Sequence, residues 1–197
     1  KITLICVLCL LTISPYLYRN YNIFGVITIT KSAGYNLLKG NHPRTKVEGT
    51  PMFLNVEEVV PEVKPELDKL ILNGPSQNYD LAQDKILFNQ AVNFIKEDPL
   101  KYIKLYFQKI FSFILIDFNA NYKNYYSLLH TVPKIIIGLT TIIGIILSFK
   151  FKISVLNYIS LYYLANIGLF SIFFILPRYS LSLLIAQIIL CLIVFFL

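Results

Sequence analysis

The chain of 197 residues contains no tryptophan, three cysteines, two histidines and 11 acidic residues against 18 lysines and arginines. Cys6, Cys9 and Cys191 all lie in apolar stretches, where a thiol behaves as a small hydrophobic side chain. This placement predicts neither a disulfide framework nor a zinc site. His42 and His130 are too far apart in sequence to suggest a shared metal site.

Asp, Glu and Arg are absent from four apolar runs, which are residues 2–17, 133–149, 153–176 and 180–197. A helix needs about 20 apolar residues to cross a bilayer, and the last three runs meet that need. The first is slightly short because the chain begins inside it. Since 56% of the residues are hydrophobic, the composition predicts a mainly α, polytopic membrane protein with about four transmembrane helices.

The start of the chain has two interpretations. Lys1, the apolar run and Ser14-Pro15 would suit a signal peptide, but the small-x-small cleavage pattern is missing. We therefore expect a transmembrane helix over residues 1–17 that is entered partway, with an N-terminal part of the protein lying outside this sequence.

The net charge of +7 does not indicate nucleic-acid binding, because the excess of basic residues lies around the apolar runs. Lys150 and Lys152 form a short connection without acids, which is typical of a cytoplasmic turn. Residues 18–131 then form an external, periplasmic loop region, and residues 132–197 form three transmembrane helices. The predicted location is the bacterial inner membrane, crossed several times.

The external region is predicted to be mixed in structure. Residues 24–30 are β-branched and suggest a short strand, while prolines make residues 47–72 mostly loop. Apolar spacing predicts a helix over 78–96, capped by Asn78 or Ser76 and closed by Asp98-Pro99. A basic, aromatic stretch at 101–118 predicts an interfacial or half-inserted helix, with a true span as the alternative. The tyrosines of 122–126 suit a headgroup belt.

Three polar motifs lie at the edges of apolar runs: Arg19-Asn20-Tyr21, Gly40-Asn41-His42-Pro43 and Pro177-Arg178-Tyr179. An arginine at the end of a span is costly to bury, so it lies at headgroup level or in a polar cavity. Two such arginines on one face would suit an anionic ligand such as a lipid-linked phosphate. Each could equally extend to headgroups, as lysines and arginines at span ends commonly do.

The second motif has a turn composition that exposes side chains. Asn41 and His42 could therefore hold sugar hydroxyls or shape an acceptor entrance, although a plain turn would look the same.

Four stretches together resemble a family. Residues 14–25, SPYLYRNYNIFG, resemble the PW-x-x-RN-x-x-x-FG stretch of bacterial GT-C membrane glycosyltransferases of the protein mannosyltransferase and aminoarabinose transferase type, with Tyr16 replacing the Trp. Residues 34–43 resemble their G-x-NL-x-x-GNNP loop, with His42 for the second Asn. Residues 91–99 and 109–113 are similar to their A-x-x-x-I-x-x-x-P and K-x-x-x-F helices. Residues 177–182 resemble their RY-x-x-P hairpin without its proline.

The resemblance implies an enzyme that takes a sugar from a polyprenyl-phosphate carrier and transfers it to a glycan, lipid or protein acceptor on the outer face. It implies that the catalytic carboxylate lies in an N-terminal half outside this sequence and that the complete enzyme could use a divalent metal. No cofactor and no catalytic residue are predicted here. The residues expected to bind substrate or carrier are Arg178, Tyr179, Arg19, Asn41 and His42.

Three acids of the external region, Asp80, Asp84 and Asp98, are interpreted as solvated surface. Membrane lipids are expected partners, and nucleic acid is not. The alternatives are half of a transporter or flippase, with Arg178 lining a pathway, or a lipid-linked polysaccharide ligase or polymerase.

Overall fold

The computed structural model describes residues 2–48, 56–72, 78–117 and 127–196, and these ranges form helices without a β-strand. The α-helices are α1 (Ile2–Phe24), α2 (Ala33–Gly40), α3 (Val56–Val59), α4 (Lys64–Leu72), α5 (Tyr79–Glu97), α6 (Pro99–Ile114), α7 (Leu128–Lys150), α8 (Ser154–Ile172) and α9 (Leu184–Phe196). Pro61–Val63 and Pro177–Leu183 form 3-10 helices. The mainly α prediction is confirmed.

Three segments are long and apolar enough to cross a membrane: Leu128–Lys150, Ser154–Ile172 and Arg178–Phe195. They indicate a membrane protein and agree with three of the four predicted spans. Residues 2–17 are helical within α1, but α1 is not among these three segments, so a fourth span stays a prediction. The bacterial inner membrane stays a prediction as well.

Small residues set the packing of the three apolar segments. A Cβ on Gly144 of α7 would collide with the main-chain oxygen of Leu190 on α9, so only glycine allows this approach. Close contact of this kind is how helices associate where lipid removes the hydrophobic driving force. The core between them contains Tyr163, Ile167 and Leu190.

The predicted strand over residues 24–30 is wrong. Phe24 ends α1, and the following residues are irregular. No partner strand accompanies them within the described residues; instead α1 satisfies their carbonyls. The amide of Asn20 donates to the Thr28 oxygen at 2.7 Å, and the Tyr16 hydroxyl donates to the Ile29 oxygen at 3.2 Å.

The stretch 47–72 was predicted to be mostly loop, but its described residues 56–72 contain α3, α4 and the 3-10 helix between them. Residues 49–55 lie outside the described residues. Pro61 and Pro65 lie in the first turns of helical segments, where the missing N–H costs nothing. Val60, Val63 and Leu67 are buried against α2, α5 and α6. Burial of these apolar side chains therefore explains why this segment forms helices, although its proline content predicted a loop.

The helix predicted for 78–96 is confirmed as α5, with Asn78 at its N-cap position. Asp98 ends α5 and begins α6, because its carboxylate accepts from the Lys101 N–H at 3.2 Å. Ser76 lies outside the described residues.

Helix α6 joins two cores. Tyr102 and Leu105 pack with α2, α4 and α5, whereas Phe113 packs with the apolar helices α8 and α9. A Cβ on Gly138 of α7 would collide with the Ile114 carbonyl, so the end of α6 presses against α7. The predicted helix is confirmed over Pro99–Ile114, while its interfacial position stays a prediction. Residues 118 and 122–126 lie outside the described residues.

Candidate functional site

The second polar motif docks on the chain that follows α8. Gly40, the last residue of α2, lies so close that a Cβ there would be 2.5 Å from the Phe173 carbonyl carbon and the Phe174 nitrogen. The Phe174 N–H donates to the Asn36 oxygen at 3.1 Å. The sequence predicted an apolar run as far as residue 176, but α8 ends at Ile172. The pairing with α2 explains the difference, because Phe173 is extended where the chain meets α2.

Asn41 joins the ends of two helices. Its amide nitrogen donates to the main-chain oxygen of Leu37 in α2 at 2.9 Å and to that of Ile172 in α8 at 2.8 Å. Carbonyls in the last turn of a helix lack an N–H partner within the helix, and this single amide supplies two. The described contacts therefore give Asn41 a capping role, and its direct contact with a substrate stays a prediction.

Lys109 of α6 completes this junction. Its side chain is only 1% exposed. The amine donates to the main-chain oxygens of Gly40 at 2.8 Å and Phe173 at 2.9 Å, and lies 3.5 Å from Oδ1 of Asn41. Burial lowers the pKa of Lys109 to about 7. In the sequence, Lys109 was noted only as part of a family resemblance. The available signal was that it is the one charged residue within the apolar stretch 105–116.

Lys39, which directly precedes this junction, interacts electrostatically with Arg178. The Lys39 amine lies 4.1 Å from the centre of the Phe174 ring. Burial, and then the guanidinium of Arg178, lower the pKa of Lys39. Arg178 itself is exposed, with its guanidinium carbon 5.9 Å from the Tyr179 ring centre. Within the described ranges, no acidic side chain forms an ion pair with Arg178.

Tyr179 fixes the hairpin that carries Arg178. Its N–H donates to the Leu176 oxygen at 2.9 Å. Its ring lies 6.2 Å from that of Phe170, which in turn stacks on Phe113 of α6 at 6.0 Å. The chain of rings connects the hairpin to α8 and α6.

The expectation that the turn exposes Asn41 and His42 is wrong, since each is only 6% exposed. The main-chain N–H of His42 donates to Oγ1 of Thr45 at 3.0 Å. The ring nitrogen Nδ1 of His42 accepts from the main-chain N–H of Arg44 at 3.2 Å.

The charge of His42 is set by these surroundings. Its pKa is lowered to about 4, first by burial and then by the positive charges of Arg44, Lys101 and Lys109. The imidazole is therefore neutral at neutral pH. Contact of His42 with a sugar stays a prediction.

Arg19 lies apart from this junction. It is exposed and donates to Oδ1 of Asn20 at 3.4 Å. No contact found among the described residues joins Arg19 to Lys39 or Arg178. The structure thus brings the second and third motifs together, while the first ties the segment after α1.

A buried charged group that the sequence did not suggest lies near α6 and α7. Glu48 accepts from the Ser112 hydroxyl at 2.8 Å, and its N–H donates to Asp117 at 3.3 Å. Lys134 of α7 interacts electrostatically with both acids. Lys134 also lines a cavity of about 180 Å³ between α7 and the hairpin, together with Gln187.

Of the three acids interpreted as solvated surface, two are exposed and one is half-buried. Asp80 is exposed and pairs with Lys31 at 2.9 Å, and Asp98 is exposed. Asp84, however, is half-buried and accepts from the N–H groups of Gly34 and Tyr35 at 3.0 and 2.9 Å, so it caps α2 from α5. The surface interpretation of Asp84 is wrong.

Across the part of the chain that the structure describes, no three His, Cys, Asp or Glu side chains gather in a way that could hold a metal ion. No protein-family model, curated protein or solved structure matches the chain. Function has therefore to be inferred from the geometry of the site and from the motif resemblance.

Proposed function

We propose that the protein is part of a membrane glycosyltransferase and that Lys39 and Arg178 bind the phosphate of a polyprenyl-phosphate-linked sugar. The sugar would pass to a glycan, lipid or protein acceptor on the outer face. The observation that carries this proposal is the electrostatic interaction between the two cations. Lys39 directly precedes the second motif and Arg178 belongs to the third, and the two motifs meet where Gly40 packs against Phe173 and Phe174.

The electrostatics support an anionic ligand. Because the Arg178 guanidinium lowers the pKa of Lys39, bringing the two charges together costs free energy in the protein alone. An anion bound to both would reverse this cost. A guanidinium fork suits phosphate oxygens, since two N–H groups can bind two oxygens at once.

The surroundings support a lipid-linked phosphate. Arg178 begins an apolar segment long enough to cross a membrane. Leu181 and Ile185, which follow it, are exposed by 64% and 74%. A prenyl chain could lie along this apolar surface while its phosphate stays at the polar junction. No residue of this chain is assigned to proton transfer.

Binding of farnesyl phosphate to the purified protein in nanodiscs tests the site, with uncharged farnesol as the ligand control. We expect Arg178→Gln and Lys39→Gln each to weaken binding about ten-fold, the usual effect of losing one charged hydrogen bond. Arg44→Gln is the matched control, because Arg44 is an exposed arginine of the nearby loop. Equal affinity for farnesol, or equal losses in all three variants, would reject the site.

The reaction needs its own test. Membranes containing the protein are given a polyprenyl-phosphate carrier with a labelled sugar, and the label is followed. We expect label to leave the carrier and join an acceptor, and Arg178→Gln to slow this. A carrier that crosses the bilayer with its sugar still attached would favour the transporter alternative.

A further inference from the structure

We propose that Lys109 is a positioning residue: its amine holds the ends of α2 and α8 together and thereby sets the position of Arg178 relative to Lys39. The functional consequence rests on the anion site proposed above. The structural part can be tested without any ligand.

Two helix C-termini converge at Lys109. Helix α2 ends at Gly40 and α8 ends at Ile172, with Phe173 as its C-cap. The last carbonyls of each helix lack N–H partners and carry the negative end of the helix dipole. Two such ends placed side by side repel each other unless hydrogen-bond donors lie between them.

Two side chains supply those donors. Lys109 binds the oxygens of Gly40 and Phe173, while Asn41 binds those of Leu37 and Ile172. Each thus contacts one carbonyl from each helix end. A protonated amine has three donors, which matches the three oxygens around it.

The junction lies close to both cations along the chain. Lys39 directly precedes Gly40, and Arg178 follows Phe173 after four residues, within the 3-10 helix Pro177–Leu183. Few residues separate the junction from either cation, so little freedom remains to absorb a displacement. Separating the two helix ends would therefore separate the two charges.

Lys109 acts through this junction and not on the anion. Its side chain is 1% exposed, and its described contacts are oxygens of the protein. Burying an ammonium group is costly, so an apolar residue would be the cheaper choice unless these carbonyls needed donors. The ligand would meet Lys39 and Arg178 only.

The test measures distance and affinity in the same proteins. Nitroxide labels are placed on Ser32→Cys and Ser182→Cys, both exposed, after Cys6, Cys9 and Cys191 have been replaced by serine. Double electron–electron resonance then gives the distribution of distances between the two nitroxides, one at the start of α2 and one on the hairpin. We expect Lys109→Met to broaden this distribution and to weaken farnesyl phosphate binding several-fold.

Three further variants sharpen the test. Lys109→Arg keeps the donors and should restore much of both properties. Lys104→Met makes the same chemical change at an exposed lysine of α6 and should alter neither. Arg178→Gln should weaken binding without changing the distances. If Lys109→Met fails to fold, Lys109→Gln, which can still donate to one carbonyl, replaces it.

An unchanged distance distribution in Lys109→Met overturns the proposal, as does a broadened distribution with unchanged affinity. If Arg178→Gln binds farnesyl phosphate normally, the anion site itself is wrong. The distances would then still decide whether Lys109 holds the two helix ends together.

Discussion

The side-chain nitrogen of Asn41 lies 2.8 Å from the main-chain oxygen of Ile172, across 131 positions of the sequence. This contact seats the loop after α2 on the end of α8, just before the hairpin that carries Arg178. Two motifs that look independent in the sequence are therefore parts of one junction.

We expect Asn41→Leu to lower the free energy of unfolding by about 2–4 kcal/mol, because the buried carbonyl of Leu37 and the part-buried carbonyl of Ile172 would lose their donor. Thermal unfolding in detergent measures this. Asn36→Ala is the control, because its side-chain amide makes a solvent-exposed hydrogen bond to the main-chain oxygen of Ser32, so the loss should be under about 1 kcal/mol. Equal losses in the two variants would contradict the capping role of Asn41.

Gly40→Ala should destabilise the protein by about 1–3 kcal/mol, the usual cost of forcing a methyl group into a packed site. The new Cβ would meet main-chain atoms of Phe173 and Phe174, which cannot rotate away as a side chain could. Gly168→Ala is the matched change, because its Cβ would meet only the Tyr106 hydroxyl at 3.3 Å. Unfolding curves of both variants should separate clearly; a harmless Gly40→Ala would show that α2 and α8 are not in close contact.

Acidification should destabilise the protein through His42. Its folded pKa of about 4 lies below the ordinary 6.5, so between these values the unfolded chain binds a proton that the folded chain does not. The free energy of unfolding is therefore not reduced by His42 above pH 6.5. It falls by up to about 3 kcal/mol as the pH drops from 6.5 towards 4. His42→Asn should flatten this dependence in unfolding measured from pH 7 to 4. An unchanged pH dependence in His42→Asn would contradict the prediction.

Lys109 should produce the corresponding effect in the alkaline range. Its folded pKa of about 7 lies below the ordinary 10.5, so between these values the unfolded chain again holds the extra proton. Stability should rise with pH above 7, more steeply in the wild type than in Lys109→Met. His42, the titratable group of the neighbouring loop that interacts with Lys109, is already neutral there. Unfolding at pH 7 and pH 9 measures the two slopes, and identical slopes would refute the prediction.

The apolar helices and α5 could be predicted because their signals are local. A long run without charges, or apolar residues at helical spacing, specifies a helix whatever surrounds it. The strand at 24–30 could not be judged in this way, since β-branched residues form a strand only where a partner strand exists. Here Asn20 and Tyr16 of α1 took the partner's place.

Some residues of the candidate site could be identified from the sequence, and others could not. Arg178, at the edge of an apolar run, could be singled out because a charge there is costly in any fold. Lys39 and Lys109 could not be singled out, because the role of a lysine depends on the groups that the fold places around it. Composition and hydropathy determined that apolar helices form and where polar motifs interrupt them. Only the contact between the end of α2 and residues 172–174 decided that Asn41 joins two helix ends and that Lys39 interacts with Arg178. Contacts between distant segments depend on packing that no local pattern encodes.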